Sequence, residues 1–274
     1  MDIKMRKGIF WRAPAVSAAL ALGFALAFAG CDMDGNGEAW TPPGIGLWVY
    51  GTTGTPAQNT QFLTSAVITY VNNNPGTRFV MAMSGANVSA AEVAHTLNHG
   101  ANLTIVGIGA SRTTIPFVST SNSARLFTVG NGATLTLGDN ITLQGHTGHQ
   151  AALIRVQNGG RLNMRGNSII TGHFNGNLAA AEYRGTAIHI ASGGTLDMSG
   201  TAEISGNGRG GVYMTTGSDF DRTDWTGWIR NNHRGSTLGT GVQANVIMLT
   251  SHSLYAALNA DSRIEGGAYN PFAE

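Results

Sequence analysis

The sequence predicts an all-β chain, a parallel β-helix in which short strands stack coil upon coil. Three observations carry this. First, a segment of seventeen residues comes three times: VGNGATLTLGDNITLQG (129–145), VQNGGRLNMRGNSIITG (156–172) and IASGGTLDMSGTAEISG (190–206). Second, apolar residues inside each copy stand two apart, the period of a strand with one buried face. Third, each copy carries Asn-Gly, Asn-Gly-Gly or Ser-Gly-Gly, the residues a tight turn with positive φ requires.

Aligned by column, the copies begin on Val129, Val156 and Ile190. A Gly column follows (Gly132, Gly159, Gly193), then Leu135, Leu162 and Leu196, then Leu137, Met164 and Met198. Leu143, Ile170 and Ile204 come next, and each copy closes on Gly145, Gly172 or Gly206. Each copy therefore reads strand, turn, strand, turn, strand. One copy cannot bury its apolar face alone, whereas stacked copies make a continuous internal ladder. Copy starts are 27 and 34 residues apart, one coil with loops of unequal length. Leu103 and Ile105 extend the inward columns upstream. Val212, Met214, Gly217 and Phe220 extend them downstream, and residues 245–250 supply one further rung. About six coils result, at about 4.8 Å per rung.

Composition agrees. The chain has 274 residues, 39 of them Gly, with 42% hydrophobic and only 11% charged residues. Turns consume Gly and Asn, and outward strand positions take Thr. The formal net charge is +1, but four of the basic residues (Lys4, Arg6, Lys7, Arg12) lie at the N-terminus. Beyond residue 30 stand twelve Arg, no Lys and fourteen acids, a balance of −2. That argues against nucleic acid as a partner.

Four segments are expected. Residues 1–30 read as a lipoprotein signal peptide: a basic start, then an apolar or small run over 16–29 that is too short for a bilayer span of about 20 residues. Phe28-Ala29-Gly30-Cys31 contains the only Cys and resembles a bacterial lipobox, although Phe28 stands where Leu is common. That resemblance implies lipidation of Cys31 and a membrane as partner through the lipid; ordinary cleavage leaving a free thiol is the alternative. Residues 31–60 read as a flexible tether rich in Gly, Pro and Thr, in which Trp40 and Trp48 are unexplained. Residues 61–98 read as a small α/β N-terminal cap. It has a helix on Phe62, Leu63, Ala66, Val67, Tyr70 and Val71, and a strand over 78–83. A second helix through Leu97 follows the capping box from Ser89 to Glu92. Residues 99–274 form the solenoid.

The motif NGATLTLGDNITLQG resembles those of the pectin-lyase-like right-handed parallel β-helix superfamily, over roughly residues 78–267. It is most like the Gly-rich repeat regions of bacterial surface lipoproteins and adhesin-like proteins, including those of spirochaetes. The resemblance implies a right-handed coil. Some members of that superfamily cleave acidic polysaccharides and many have no known chemistry, so fold alone does not choose.

Candidate site residues lie on the outward positions. Thr134, Arg161 and Thr195, then Thr136, Asn163 and Asp197, form a polar face, joined by Arg155 and His189 from the preceding strand. Such a face can hold a glycan or an extracellular protein, or merely be solvated. Asp219 falls in the column of Thr195 and Asp221 in that of Asp197, which puts Asp197 and Asp221 about 5 Å apart on adjacent rungs. Asp197, Asp219 and Asp221 are therefore a weak calcium candidate. His146, His173 and Asn207 share a column after the closing Gly, with His149 nearby. Two or three His in reach can bind a metal, but the admission of Asn favours a stacked turn position. No motif for a nucleotide, a catalytic zinc or a serine nucleophile occurs, and no cofactor is expected. The reading is a lipid-anchored surface module, structural, adhesive or glycan-binding, without catalytic residues; a polysaccharide lyase is the alternative.

Overall fold

The structure is a computed structural model that describes residues 65–84, 94–108, 111–119, 121, 123–175, 185–234, 241–248 and 251–270. Cys31, Trp40, Trp48, the expected signal and tether, and Ser89–Glu92 lie outside the described residues. Three sheets of parallel strands account for most of what is described, in a β-helix or solenoid arrangement. Sheet I runs Arg78–Ser84, Asn102–Ile108, Thr134–Leu137, Arg161–Met164, Thr195–Met198 and Asp219–Asp221. Sheet II runs Thr113–Pro116, Ile141–Gln144, Ile169–Thr171, Glu203–Ser205 and Trp228–Arg230. Sheet III runs His95–Leu97, Phe127–Val129, Ile154–Val156, Ile188–Ile190, Val212–Met214, Val246–Ile247 and Ala268–Tyr269. From His95 to Arg230 the strands visit sheets III, I and II in rotation, so each strand pairs with its counterpart one coil away.

The columns read from sequence are the columns of the fold. Leu103, Leu135, Leu162, Leu196 and Phe220 are successive partners in sheet I. Ile105, Leu137, Met164 and Met198 run beside them. Ile115, Leu143, Ile170, Ile204 and Ile229 do the same in sheet II. Leu97, Val129, Val156, Ile190 and Met214 complete the core from sheet III. All of these side chains are buried. Burying one Leu or Ile stabilises the fold by about 1.5–3 kcal/mol, and here each meets its like above and below.

Between sheets III and I the chain turns on a stack of glycines. Gly100, Gly132, Gly159, Gly193 and Gly217 all have positive φ, between 69° and 82°. The amides of Gly100, Gly132, Gly159 and Gly193 each donate to the carbonyl of the next Gly in the series, at 2.8–3.2 Å. At Gly159 a Cβ would stand 2.1 Å from Asn131 Oδ1, so the position excludes a side chain by space as well as by φ. This turn has one length. The inward residue of sheet III and the Leu column of sheet I are six apart at 129–135, 156–162, 190–196 and 214–220. The return from sheet II to sheet III varies: Leu143 to Val156 is 13 residues, Ile170 to Ile190 is 20, and Ile204 to Met214 is 10.

At the N-terminal side the expected first helix is present as Ser65–Asn73, with Ile68 and Val71 buried and Tyr70 half exposed. The expected strand is present as Arg78–Ser84 and pairs directly with Asn102–Ile108. The helix expected to run through Leu97 does not reach it: among the described residues, His95–Leu97 is a strand of sheet III. His95 N donates to Leu126 O at 2.9 Å, and His95 and Leu97 are buried while Thr96 is exposed. Parallel pairing with Phe127–Val129 outweighs the local preference that a capping box confers.

Candidate functional site

Alternation along sheet I turns Thr134, Arg161, Thr195 and Asp219 outward as one column, and Thr136, Asn163, Asp197 and Asp221 as the next. The structure thus places Asp197 beside Asp221, as the sequence register requires. The Asp197 carboxylate is already engaged. Arg165 grips it with two bonds of 2.6 Å, and Arg161 Nη1 donates to Oδ2 at 3.0 Å. A two-pronged guanidinium on a carboxylate is among the stronger polar contacts available. Arg165 was not among the candidates drawn from sequence. Alternation through 161, 163 and 165 is the signal that points to it. Asn163 Nδ2 donates to Thr136 Oγ1 at 3.2 Å.

Asp221 turns to its own loop, where Oδ1 accepts from Thr223 N at 3.1 Å and Thr223 Oγ1 at 2.9 Å. These bonds, with the guanidiniums of Arg161 and Arg165 nearby, hold its carboxyl below the usual range. Asp219 Oδ1 accepts from Phe220 N at 2.8 Å. Among the described residues no group of three or more His, Cys, Asp or Glu is placed to hold a metal ion.

Arg155 and His189 belong to a different surface. They lie in the outward column of sheet III, in the order Thr96, Thr128, Arg155, His189, Tyr213. The sequence reading joined them to Arg161, Asn163 and Asp197 in one face. The glycine turn after residues 156 and 190 separates the two groups, because it redirects the chain from one sheet to the next. The His189 ring meets the Tyr213 ring edge-on at 5.4 Å, and Nε2 lies 3.3 Å from Thr215 Oγ1. Burial, then the positive charges of Arg155 and Arg125, lower the His189 pKa to about 4, so the imidazole is neutral near pH 7. Arg155 Nε is buried without a hydrogen bond. Further along the sheet, Arg234 Nη1 donates to Tyr269 OH at 3.1 Å and its guanidinium lies 5.9 Å from that ring.

The third assembly follows sheet II. His173 N donates to Asn207 Oδ1 at 3.0 Å, Asn207 N to Asn232 Oδ1 at 3.1 Å, and Asn232 N to Asn245 Oδ1 at 3.1 Å. The amide groups also bond one another, Asn207 Nδ2 to Asn232 Oδ1 at 2.9 Å and Asn232 Nδ2 to Asn245 Oδ1 at 2.7 Å. Asn245 Nδ2 closes the series on Glu265 O. His146 N donates to His173 Nδ1 at 3.4 Å. The column of His146, His173 and Asn207 is therefore a stack of turn residues whose side chains satisfy the backbone of the neighbouring coil. Asn232 and Asn245 were not singled out from sequence, since the coils that carry them lack the repeat's spacing.

His149 stands off this ladder, 4.5 Å from the His146 ring and 6.4 Å from that of His173, with Phe117 edge-on at 5.1 Å. Its Nε2 lies 3.1 Å from Ser119 O. His173 Nε2 lies 2.8 Å from Ala151 O, and burial lowers its pKa to about 4.

No family model matches the chain. Neither a curated protein nor a solved structure matches it.

Proposed function

We propose that the chain is an exported, lipid-anchored surface protein. In this reading it folds as a right-handed β-helix of the pectin-lyase-like type, with about six coils and a small N-terminal cap, and binds its ligand without transforming it. The single observation that carries the binding reading is the outward column of sheet III. Successive strands there carry Arg155, His189 and Tyr213; the guanidinium and the phenol are partly exposed, and the His189 ring between them is buried. A partly exposed guanidinium and phenol on one sheet face suit glycan hydroxyls and ring faces, and also polar patches on an extracellular protein. The carboxylate best placed for acid–base work, Asp197, is instead neutralised by Arg161 and Arg165. The basic start, the apolar run and Cys31 support export and anchoring of the chain to the bacterial envelope, through a lipid in the outer membrane or at the cell surface.

A polysaccharide lyase remains the second reading, favoured by the juxtaposition of Asp197 and Asp221 beside two arginines. One experiment separates them. The full chain, purified in mild detergent, is applied to arrays of glycans and matrix proteins, and incubated in parallel with polygalacturonate. Saturable retention on the array, weakened in Arg155→Gln and in Tyr213→Ala, supports the binding module. Absence of retention on every surface refutes it. Ultraviolet absorbance from unsaturated uronate products, lost in Asp197→Ala and Asp221→Ala, would establish the lyase.

A further inference from the structure

We propose that His146 and His149 form a binding site for one divalent transition ion of the zinc class, independent of the sheet III surface. The argument begins with the turn. His146 and His149 are separated by Thr147 and Gly148, and Gly148 has φ +90°. The turn is pinned to the next coil: Gly148 N donates to Phe174 O at 2.7 Å and Phe174 N to His146 O at 3.2 Å. It brings the two rings to 4.5 Å between centroids, at an interplanar angle of 58°. Two imidazoles on one ion, each with a metal–nitrogen distance of about 2.0–2.1 Å, require ring separations of this order.

Protonation follows from the partners. Ser119 O can only accept, so His149 Nε2 carries the hydrogen and donates to it at 3.1 Å. In the neutral ring that leaves the lone pair on Nδ1. This atom is buried and receives no hydrogen bond, in a side chain of which only 1% is exposed. His146 Nδ1 is buried and unbonded too. Two buried ring nitrogens without a hydrogen-bond partner, on adjacent rings, are costly unless something satisfies them. A ring that gives its far N–H to a backbone carbonyl is the arrangement that orients a metal-binding imidazole and raises its basicity.

His173 does not take part. Its Nε2 bonds Ala151 O and its Nδ1 receives His146 N, so both nitrogens are occupied. Two nitrogen ligands favour zinc, copper, nickel or cobalt over calcium or magnesium, which want oxygen. The other coordination positions fall to solvent or to a donor from a bound molecule. The side chain of Thr147 and the backbone at Gly148 are exposed, and a Cβ on Gly148 would meet nothing within 4 Å.

The test uses the full chain in mild detergent, stripped with a chelator and titrated with zinc chloride. One ion per chain is expected. His146→Gln and His149→Gln should each weaken binding by more than about tenfold, while His189→Gln leaves it unchanged. Nitrogen-15 shifts of the histidine rings give a second reading: zinc should move His149 Nδ1 to a metal-bound value while Nε2 keeps its hydrogen. The proposal is overturned if zinc does not bind, if it binds equally to the His146→Gln chain, or if neither ring shifts, as a bridging water would predict. Should His149→Gln fail to fold by circular dichroism, His146→Gln and the ring shifts of the unmutated chain decide.

Discussion

Asn232 offers the sharpest test of how the coils are held together. Its side chain is buried. Oδ1 accepts from Asn207 N at 3.1 Å and from Asn207 Nδ2 at 2.9 Å. Nδ2 donates to Ile204 O at 2.9 Å and to Asn245 Oδ1 at 2.7 Å. Asn232→Ala removes all four bonds. At a net of about 1 kcal/mol each the loss is about 4 kcal/mol, and the buried Asn207 backbone N–H left without its acceptor adds about 1–3 kcal/mol more. Asn232→Asp should be no milder, since it sets an acceptor where Nδ2 faced two acceptors. Urea unfolding of the full chain in detergent, followed by the fluorescence of buried Trp225 and by far-ultraviolet circular dichroism, measures the change. A substitution that moves the midpoint while keeping the slope isolates stability from compactness. If Asn232→Ala costs less than about 1 kcal/mol, the ladder is not a cohesive element and the bond-by-bond reasoning fails.

Three further outcomes are expected. Leu162→Ala should cost about 2–5 kcal/mol by transfer and cavity terms, and Leu162→Asp should prevent folding, because Leu162 sits between Leu135 and Leu196 with no exposure; a soluble, cooperatively unfolding Asp variant contradicts the register. Acidification should destabilise the fold as pH falls from about 6.5 to about 4, since His173 and His189 have folded pKa values lowered to about 4 and the unfolded chain takes up their protons first; urea midpoints that rise over that interval would reverse the sign, and His173→Gln should shallow the slope. Metabolic labelling with a fatty acid should mark the chain and Cys31→Ala should abolish the label, whereas a mature N-terminus other than residue 31 would remove the anchor.

The inward half of each strand was legible because its rule is purely local. A period of two and a fixed glycine turn determine which side chains face in, so Leu135, Leu162, Leu196 and Phe220 align without reference to anything distant. The same local rule located Asp197 beside Asp221. It did not reveal that Arg165 would bind Asp197, because that choice depends on side chains reaching across rungs 32 residues apart. It also merged Arg155 with Arg161, since alternation says which residues point outward but not through what angle a glycine turn rotates the chain. Asn232 and Asn245 escaped for a related reason: the ladder is periodic in space, but its residues are separated by 34, 25 and 13 positions in sequence. At His95–Leu97 a sound local signal for a helix lost to pairing with a strand far along the chain.

The unequal corners described above bear on how such a chain changes over time. The inward positions of sheets III and I stand six apart at each of these corners, whereas on the return from sheet II they stand 10 to 20 apart. Added length along this one seam leaves the frame of every rung intact, for loop closure costs little as loops grow. The ladder through His173, Asn207 and Asn232 clamps each coil just where the variable segment departs. Insertions, deletions and spliced epitopes should therefore be tolerated at the seam and rejected at the glycine turns. Variation in what the molecule presents to its surroundings can then proceed without renegotiating the architecture that displays it.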